Sequence, residues 1–223
     1  MMTATPIETG GRVSLAEAAR ILATRDPVIA HLLSATGAPR FRSRQESHFA
    51  ALVRAIVYQQ LAGRAAAAIH GRLIAALEGE VEPAALLGLS DESLRAVGLS
   101  ANKAASLRDL ATKVLDRTVA LSGRKLSRQS DEEITARLSS VRGIGPWTAE
   151  MFLMFQLRRL DVWPTGDLGV RRGYGSAWGV PMPTARQLQP LGEAYRPYRS
   201  VVAWYCWRAA ELYSAAADSA LTR

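Results

Sequence analysis

Apolar residues in this chain recur at intervals of three and four, and no sustained run alternates apolar with polar residues. A strand buries every second residue, whereas a helix buries a stripe at every third or fourth. The chain is therefore confined to helices, and an all-α fold is expected. The cleanest stripe is Phe49, Leu52, Val53, Ile56 and Val57, which share one helical face. The same spacing predicts helices over 14–24, 26–36, 46–62, 64–78, 91–97, 101–118, 131–139, 146–158, 168–177, 184–193 and 198–216. Residues 1–12, polar and glycine-containing, read as a flexible N-terminus. With 48% hydrophobic residues in 223, there is apolar material for one domain or two closely packed lobes.

Charge and residue usage narrow the classes of function. A formal net charge of +8 points to a polyanionic partner, nucleic acid being the commonest. The plainer alternative is a basic surface kept for solubility. Arginine dominates, and the lysines are Lys103, Lys113 and Lys125. A Schiff-base mechanism needs a placed lysine, so few candidates exist. Cys206 is the single cysteine, which excludes an internal disulfide, a cysteine-rich zinc site and a four-cysteine iron–sulfur cluster. His31, His48 and His70 lack ligand spacing. No leader pattern and no apolar run of membrane-spanning length is present. A cytoplasmic protein with no membrane partner, acting as a monomer, is the expectation.

Two places interrupt the helical rhythm in ways that bear on function. The stripe of 46–62 reaches Gln60, where a polar group breaks it. On pattern alone a helix end emerging into solvent is favoured over a cleft edge formed by Gln59, Gln60 and Leu61. Further on, Ser130-Asp131-Glu132-Glu133 has the form of a capping box. The helix it opens runs into Val141-Arg142-Gly143-Ile144-Gly145-Pro146-Trp147-Thr148. Glycines permit a tight turn, and proline suits the first position of a new helix. The result is helix, short turn, helix. Its second helix presents unpaired main-chain N–H groups, so Gly143, Gly145 and Thr148 could donate to a phosphate without side-chain charge. An ordinary glycine-capped turn is the alternative. A fainter echo, Leu94-Arg95-Ala96-Val97-Gly98-Leu99, runs into a similar turn.

The segment from Leu138 to Met151 resembles the helix-hairpin-helix of the HhH-GPD superfamily of base-excision DNA glycosylases. Asp161-Val162-Trp163-Pro164-Thr165-Gly166-Asp167-Leu168-Gly169-Val170-Arg171-Arg172-Gly173 is similar to that superfamily's Gly/Pro-rich loop and catalytic aspartate, in the form found in its alkylbase subgroup, the 3-methyladenine type. Arg54 to Gly63 resembles that subgroup's first core helix. Tyr195 to Ser200, with Trp204 and Trp207, resembles its closing helix. The likeness spans roughly 45–215. It implies an all-α, two-lobed fold: a central lobe over 45–160 containing the hairpin near 131–158, and a second lobe from 13–44 plus 161–223 carrying the aspartate loop. The cleft between them would be lined by Trp147 and Asp167. An additional N-terminal β domain, present in some members, is not expected.

The resemblance also assigns roles. Asp167 would be the catalytic carboxylate, although its place before a helix marks it equally as an N-cap. Trp147, Met151, Trp207 and, more weakly, Tyr58 would form a pocket for the flipped base, with core packing as the alternative for any one tryptophan. Gln60 maps to the wedge that fills the gap in the duplex, with Leu61 beside it, which reverses the reading from pattern alone. Arg142, Gly143, Gly145, Thr148 and Arg171 would contact DNA, and Arg172 could add to them. The main-chain carbonyls of Ser139, Val141 and Gly143 would hold a monovalent cation; no cofactor would be required. Members that also cut the backbone resemble Gly-x-Gly-x-Lys at the hairpin, and Trp147 stands at that lysine here. The expected activity is monofunctional hydrolysis of alkylated purines from double-stranded DNA, near the nucleoid. Two rivals remain: a glycosylase with lyase activity or another lesion class, and a lesion-binding module that does not cut.

Overall fold

The computed structural model describes residues 13–41 and 45–220; the stretch 1–12 read as flexible lies outside the described residues. In chain order the helices are α1 (Leu15–Ala23), α2 (Pro27–Thr36), α3 (His48–Tyr58), α4 (Gly63–Ala76), α5 (Pro83–Gly88), α6 (Asp91–Ala96) and α7 (Ala101–Leu115). There follow α8 (Gly123–Leu126), α9 (Asp131–Ser139), α10 (Pro146–Met151), α11 (Leu168–Trp178), α12 (Ala185–Leu191) and α13 (Arg199–Ala220). A π-helical turn, Phe152–Gln156, continues α10, and a 3-10 turn, Glu193–Tyr195, follows α12. No strand occurs among the described residues, and none of their helices is long and apolar enough to cross a membrane.

Side-chain caps open most of the longer helices. Ser14, Asp26, Ser47, Ser100, Ser130 and Asp167 each accept a main-chain N–H of the following turn. Ser130 and Glu133 form the capping box expected from their spacing. Four elements differ from the sequence reading. The first, α3, stops at Tyr58 rather than near 62, because Gln59 turns out of the helix at ψ 133° and Gln60 follows in the left-handed region at φ 56°. Both α5 and α8 were not expected; at six and four residues they are too short to show a period. The predicted helix 146–158 changes pitch at Phe152, where the Leu157 N–H reaches the Phe152 carbonyl five residues back.

The chain divides into two compact units, one from residues up to Arg40 together with Thr165 onward, the other Phe41–Pro164. The joins lie a few residues from those read in the sequence. Phe41 packs edge-on against Phe155, and Val162, Trp163 and Pro164 are buried, which ties both ends of the segment into the second unit.

In the first unit α13 is the spine, burying Val201, Val202, Ala203, Tyr205, Cys206 and Ala209. Helix α11 lies directly on it. A Cβ at Gly173 would sit 1.7 Å from the Cys206 carbonyl oxygen, so only glycine permits this approach. A polar joint completes the unit. Asp26 caps α2 through Oδ1, while its Oδ2 accepts from Trp178 Nε1 at 3.0 Å and Tyr195 OH at 2.8 Å. In the second unit the stripe of α3 is buried as expected, together with Leu107, Leu110 and Ala111 of α7 and Phe152, Leu153 and Met154 of the π turn.

Candidate functional site

The hairpin of the second unit joins α9 to α10. Val141 and Ile144 are buried and anchor the turn from inside, whereas Arg142, Gly143 and Gly145 face out. Its two glycines have different reasons to be glycine. Gly143 has φ 78°, and a Cβ there would lie 2.6 Å from Ser106 Oγ on α7. The fold itself demands it. Gly145 has an ordinary φ of −96°, and a Cβ there would meet nothing within 4 Å. The fold would accept alanine at 145, so its missing side chain keeps open the space in front of α10. No side chain caps α10. Its first N–H groups and the positive end of its dipole border that space.

Helix α7 holds the turn from behind. The Asp109 carboxylate accepts the Arg142 main-chain N–H at 2.7 Å and the Lys113 ammonium at 2.8 Å, and Lys113 also donates to the Ser140 carbonyl. Burial alone would push the Asp109 carboxyl up, but the bonds from Lys113 and Arg142 together hold it below its ordinary value. The sequence did not link Asp109 or Lys113 to the hairpin, since Arg142 and Ser140 lie about 30 residues further along the chain.

Beside the hairpin is a cavity of about 550 Å³ lined by Ala55, Tyr58, Gln59, Gln60, Gly143, Gly145, Trp147, Thr148 and Met151. Trp147 is 49% exposed, whereas the Thr148 side chain is buried. Four of the residues assigned to base recognition or the wedge, Trp147, Met151, Tyr58 and Gln60, thus share one wall-set with Gly143, Gly145 and Thr148. Leu61 is exposed but does not line the cavity. Arg142 is also exposed, and its guanidinium donates to Asn102 Oδ1 at 3.2 Å. Of the carbonyls read as cation ligands, that of Val141 accepts the Ile144 N–H and that of Gly143 accepts the Gln59 amide. Ser139 Oγ is buried without a hydrogen-bond partner.

Asp167 belongs to the first unit. It is the N-cap of α11: Oδ1 accepts the Val170 N–H at 2.9 Å. The same oxygen accepts the Trp207 indole N–H at 3.0 Å. Trp207, read as a pocket residue, therefore has its polar edge on the aspartate. A Cβ at Gly169 would lie 2.8 Å from Trp207 Cδ1 and 3.1 Å from Asp167 Oδ1, so glycine at 169 makes room for this pairing. Arg171, one turn along α11, is half-buried with its Nε unpartnered, and Arg172 is exposed. Cys206, fully buried beneath α11, has its thiol pushed up by burial and, secondarily, by the Asp167 charge, which makes it an inert packing group. Among the described residues, no group of three His, Cys, Asp or Glu side chains is placed to hold a metal ion.

Residues 53–196 match the model of the HhH-GPD superfamily base excision DNA repair protein. The chain belongs to this superfamily. It is 34% identical to DNA-3-methyladenine glycosylase 1 of Schizosaccharomyces pombe over 78% of this chain and 77% of that one. Among solved structures, DNA-3-methyladenine glycosidase from Bacillus halodurans matches with a TM-score of 0.80 and 32% identity, covering 88% of this chain and 90% of the other. The S. pombe 3-methyladenine DNA glycosylase in complex with abasic DNA matches at 0.74 and 32%, covering 86% and 95%. The fold is thus the all-α HhH-GPD fold, and the protein is a base-excision DNA glycosylase, a hydrolase of the N-glycosyl bond.

Proposed function

We propose that this glycosylase hydrolyses alkylated purines of the 3-methyladenine and 7-methylguanine type from double-stranded DNA, leaving an abasic site and an uncut backbone. One observation carries the reading: Asp167 is held at the start of α11 by the Val170 N–H and the Trp207 indole. Breaking an N-glycosidic bond builds positive charge on the sugar. A carboxylate fixed in advance stabilises that charge without reorganising, and can orient the incoming water. Alkylation already makes the purine cationic and a good leaving group. A stacking surface such as Trp147, with Met151 and Tyr58 around it, then suffices for the base.

DNA reaches the site through the hairpin. A phosphate would seat at the N–H groups around Gly143, Gly145 and Thr148, with Arg142 and Arg171 adding charge. Gln60, beside Leu61, would enter the duplex as the target base leaves it. The carbonyls of Ser139, Val141 and Gly143 would hold a monovalent cation that completes the negative end of α9. The Val141 and Gly143 oxygens each retain a second lone pair for it, and the orphaned Ser139 Oγ nearby supports a polar occupant. No cofactor enters the chemistry. Trp147 in place of an amine supports the monofunctional reading, as does the engagement of Lys103 and Lys113 with main-chain carbonyls. The protein would act as a monomer in the cytoplasm, on the nucleoid.

The test is base release from defined oligonucleotides carrying 7-methylguanine, 3-methyladenine or hypoxanthine, with borohydride added in a parallel series. Abasic sites from the methylated purines and no trapped adduct are expected. A covalent adduct would identify a lyase; failure to release any lesion that the protein binds would identify a recognition module.

A further inference from the structure

The turn that carries Gln60 is gripped from two sides. Lys103 on α7 donates its ammonium to the carbonyls of Val57 at 2.6 Å and Gln59 at 2.7 Å. Val57 lies in the last turn of α3 and Gln59 caps it, where the dipole is negative and main-chain acceptors lack helical partners. From the same turn the Gln59 side chain runs the other way. Its Nε2 donates to the Gly143 carbonyl at 2.9 Å and to Thr148 Oγ1 at 3.3 Å. Between these grips Gln60 is left-handed, at φ 56°. A non-glycine residue stays in that region only when its surroundings hold it there. All of these groups lie in one unit.

We propose that Lys103 and Gln59 are positioning residues that hold the Gln60 turn in register with the hairpin. One rigid part then places both the wedge and the phosphate seat. Phosphate binding at Gly143 and Gly145 fixes where Gln60 meets the stack, and extrusion of the base begins from that geometry. The inference rests on the reading of Gln60 as wedge and the hairpin as phosphate anchor. Neither Lys103 nor Gln59 acts on the reacting bond; their effect falls on the flipping step.

The experiment measures single-turnover release of 7-methylguanine at saturating enzyme, with the lesion opposite cytosine and opposite thymine. A mispaired base costs less to extrude, so a flipping defect shrinks in the mismatch, whereas a folding or chemical defect does not. Lys103→Met is expected to slow release roughly tenfold opposite cytosine and less than about threefold opposite thymine. Gln59→Ala is expected to shift the same ratio in the same direction, and Lys103→Arg to restore most of it. The ratio of the two substrates is independent of the folded fraction, so partial unfolding of a variant does not mask the result. Should Lys103→Met not fold, Gln59→Ala and Lys103→Arg decide the question alone. Equal losses on both duplexes would overturn the proposal. Gln60→Ala, run beside them, separates the two levels. If it shows no pairing-dependent loss, the wedge reading falls, and this inference with it. If it shows that loss while the Lys103 and Gln59 variants do not, only the positioning role falls.

Discussion

Two helices in this molecule begin after glycine-containing turns, and they begin in opposite ways. Helix α11 is closed by its own N-cap: Asp167 turns its carboxylate onto the Val170 N–H and takes the Trp207 indole as a second donor. Helix α10 starts at Gly145 with no side-chain cap and open space where a Cβ would be. The same dipole and the same orphan N–H groups are present at both. Where the chain supplies the anion, the helix start fixes a negative group in place. Where the chain withholds it, the start remains a seat for an anion from outside. On the proposed function, the first is the carboxylate for the sugar and the second the seat for a phosphate.

The largest effect that would sharpen this contrast concerns the support of α11. Gly173→Ala is expected to lower unfolding stability by more than about 3 kcal/mol, since its methyl would overlap main-chain oxygen rather than a movable side chain. Denaturant midpoints would check it; a cost near zero would mean α11 is not seated as described. Next is Trp207→Phe, which keeps the bulk and loses the indole donor. Hydrogen bonds to charged groups contribute about 1.5–3 kcal/mol, so release should slow by about 10- to 100-fold. If Trp207 acts through Asp167, the factor should be alike for every base released, whereas a stacking role would make it depend on the base.

The two hairpin glycines should then separate cleanly. Gly143→Ala is expected to destabilise by about 1–3 kcal/mol, from its left-handed backbone and the Ser106 contact. Gly145→Ala should cost at most about 1 kcal/mol, the preference of an N-cap for glycine over alanine, yet weaken binding to undamaged duplex. Equal melting losses would remove the distinction. The smallest effect is electrostatic. Asp109 is held below its ordinary value in the folded protein, so the unfolded chain binds its proton more readily. The stability it adds is complete above the unfolded value of about 3.9 and is lost as pH falls through the folded one. Asp109→Asn should cost up to about 1 kcal/mol at pH 7, the difference vanishing in strong acid.

The helical class, the capping box and the hairpin were legible because each is written in local spacing: the stripe of α3, Ser130 with Glu133, and glycines ahead of Pro146. The π turn was not, since Phe152 to Gln156 continues an apolar run that a change of pitch leaves intact. Lys103, Asp109 and the indole of Trp207 were not legible as partners of Gln59, Arg142 and Asp167, because those bonds join residues far apart in the chain. Gln60 stands between. Its polar interruption was visible, but that the interruption is a left-handed turn gripped by Lys103 is a property of the folded unit alone.

The central claim is that Asp167, beyond capping a helix, carries the chemistry. Asparagine caps a helix about as well as aspartate, so Asp167→Asn leaves the start of α11 formed and removes only the charge. Single-turnover release of 7-methylguanine, measured with duplex binding and melting as controls, should fall at least about 100-fold while both controls stay close to wild type. Release at a near wild-type rate would show that Asp167 is a cap and nothing more.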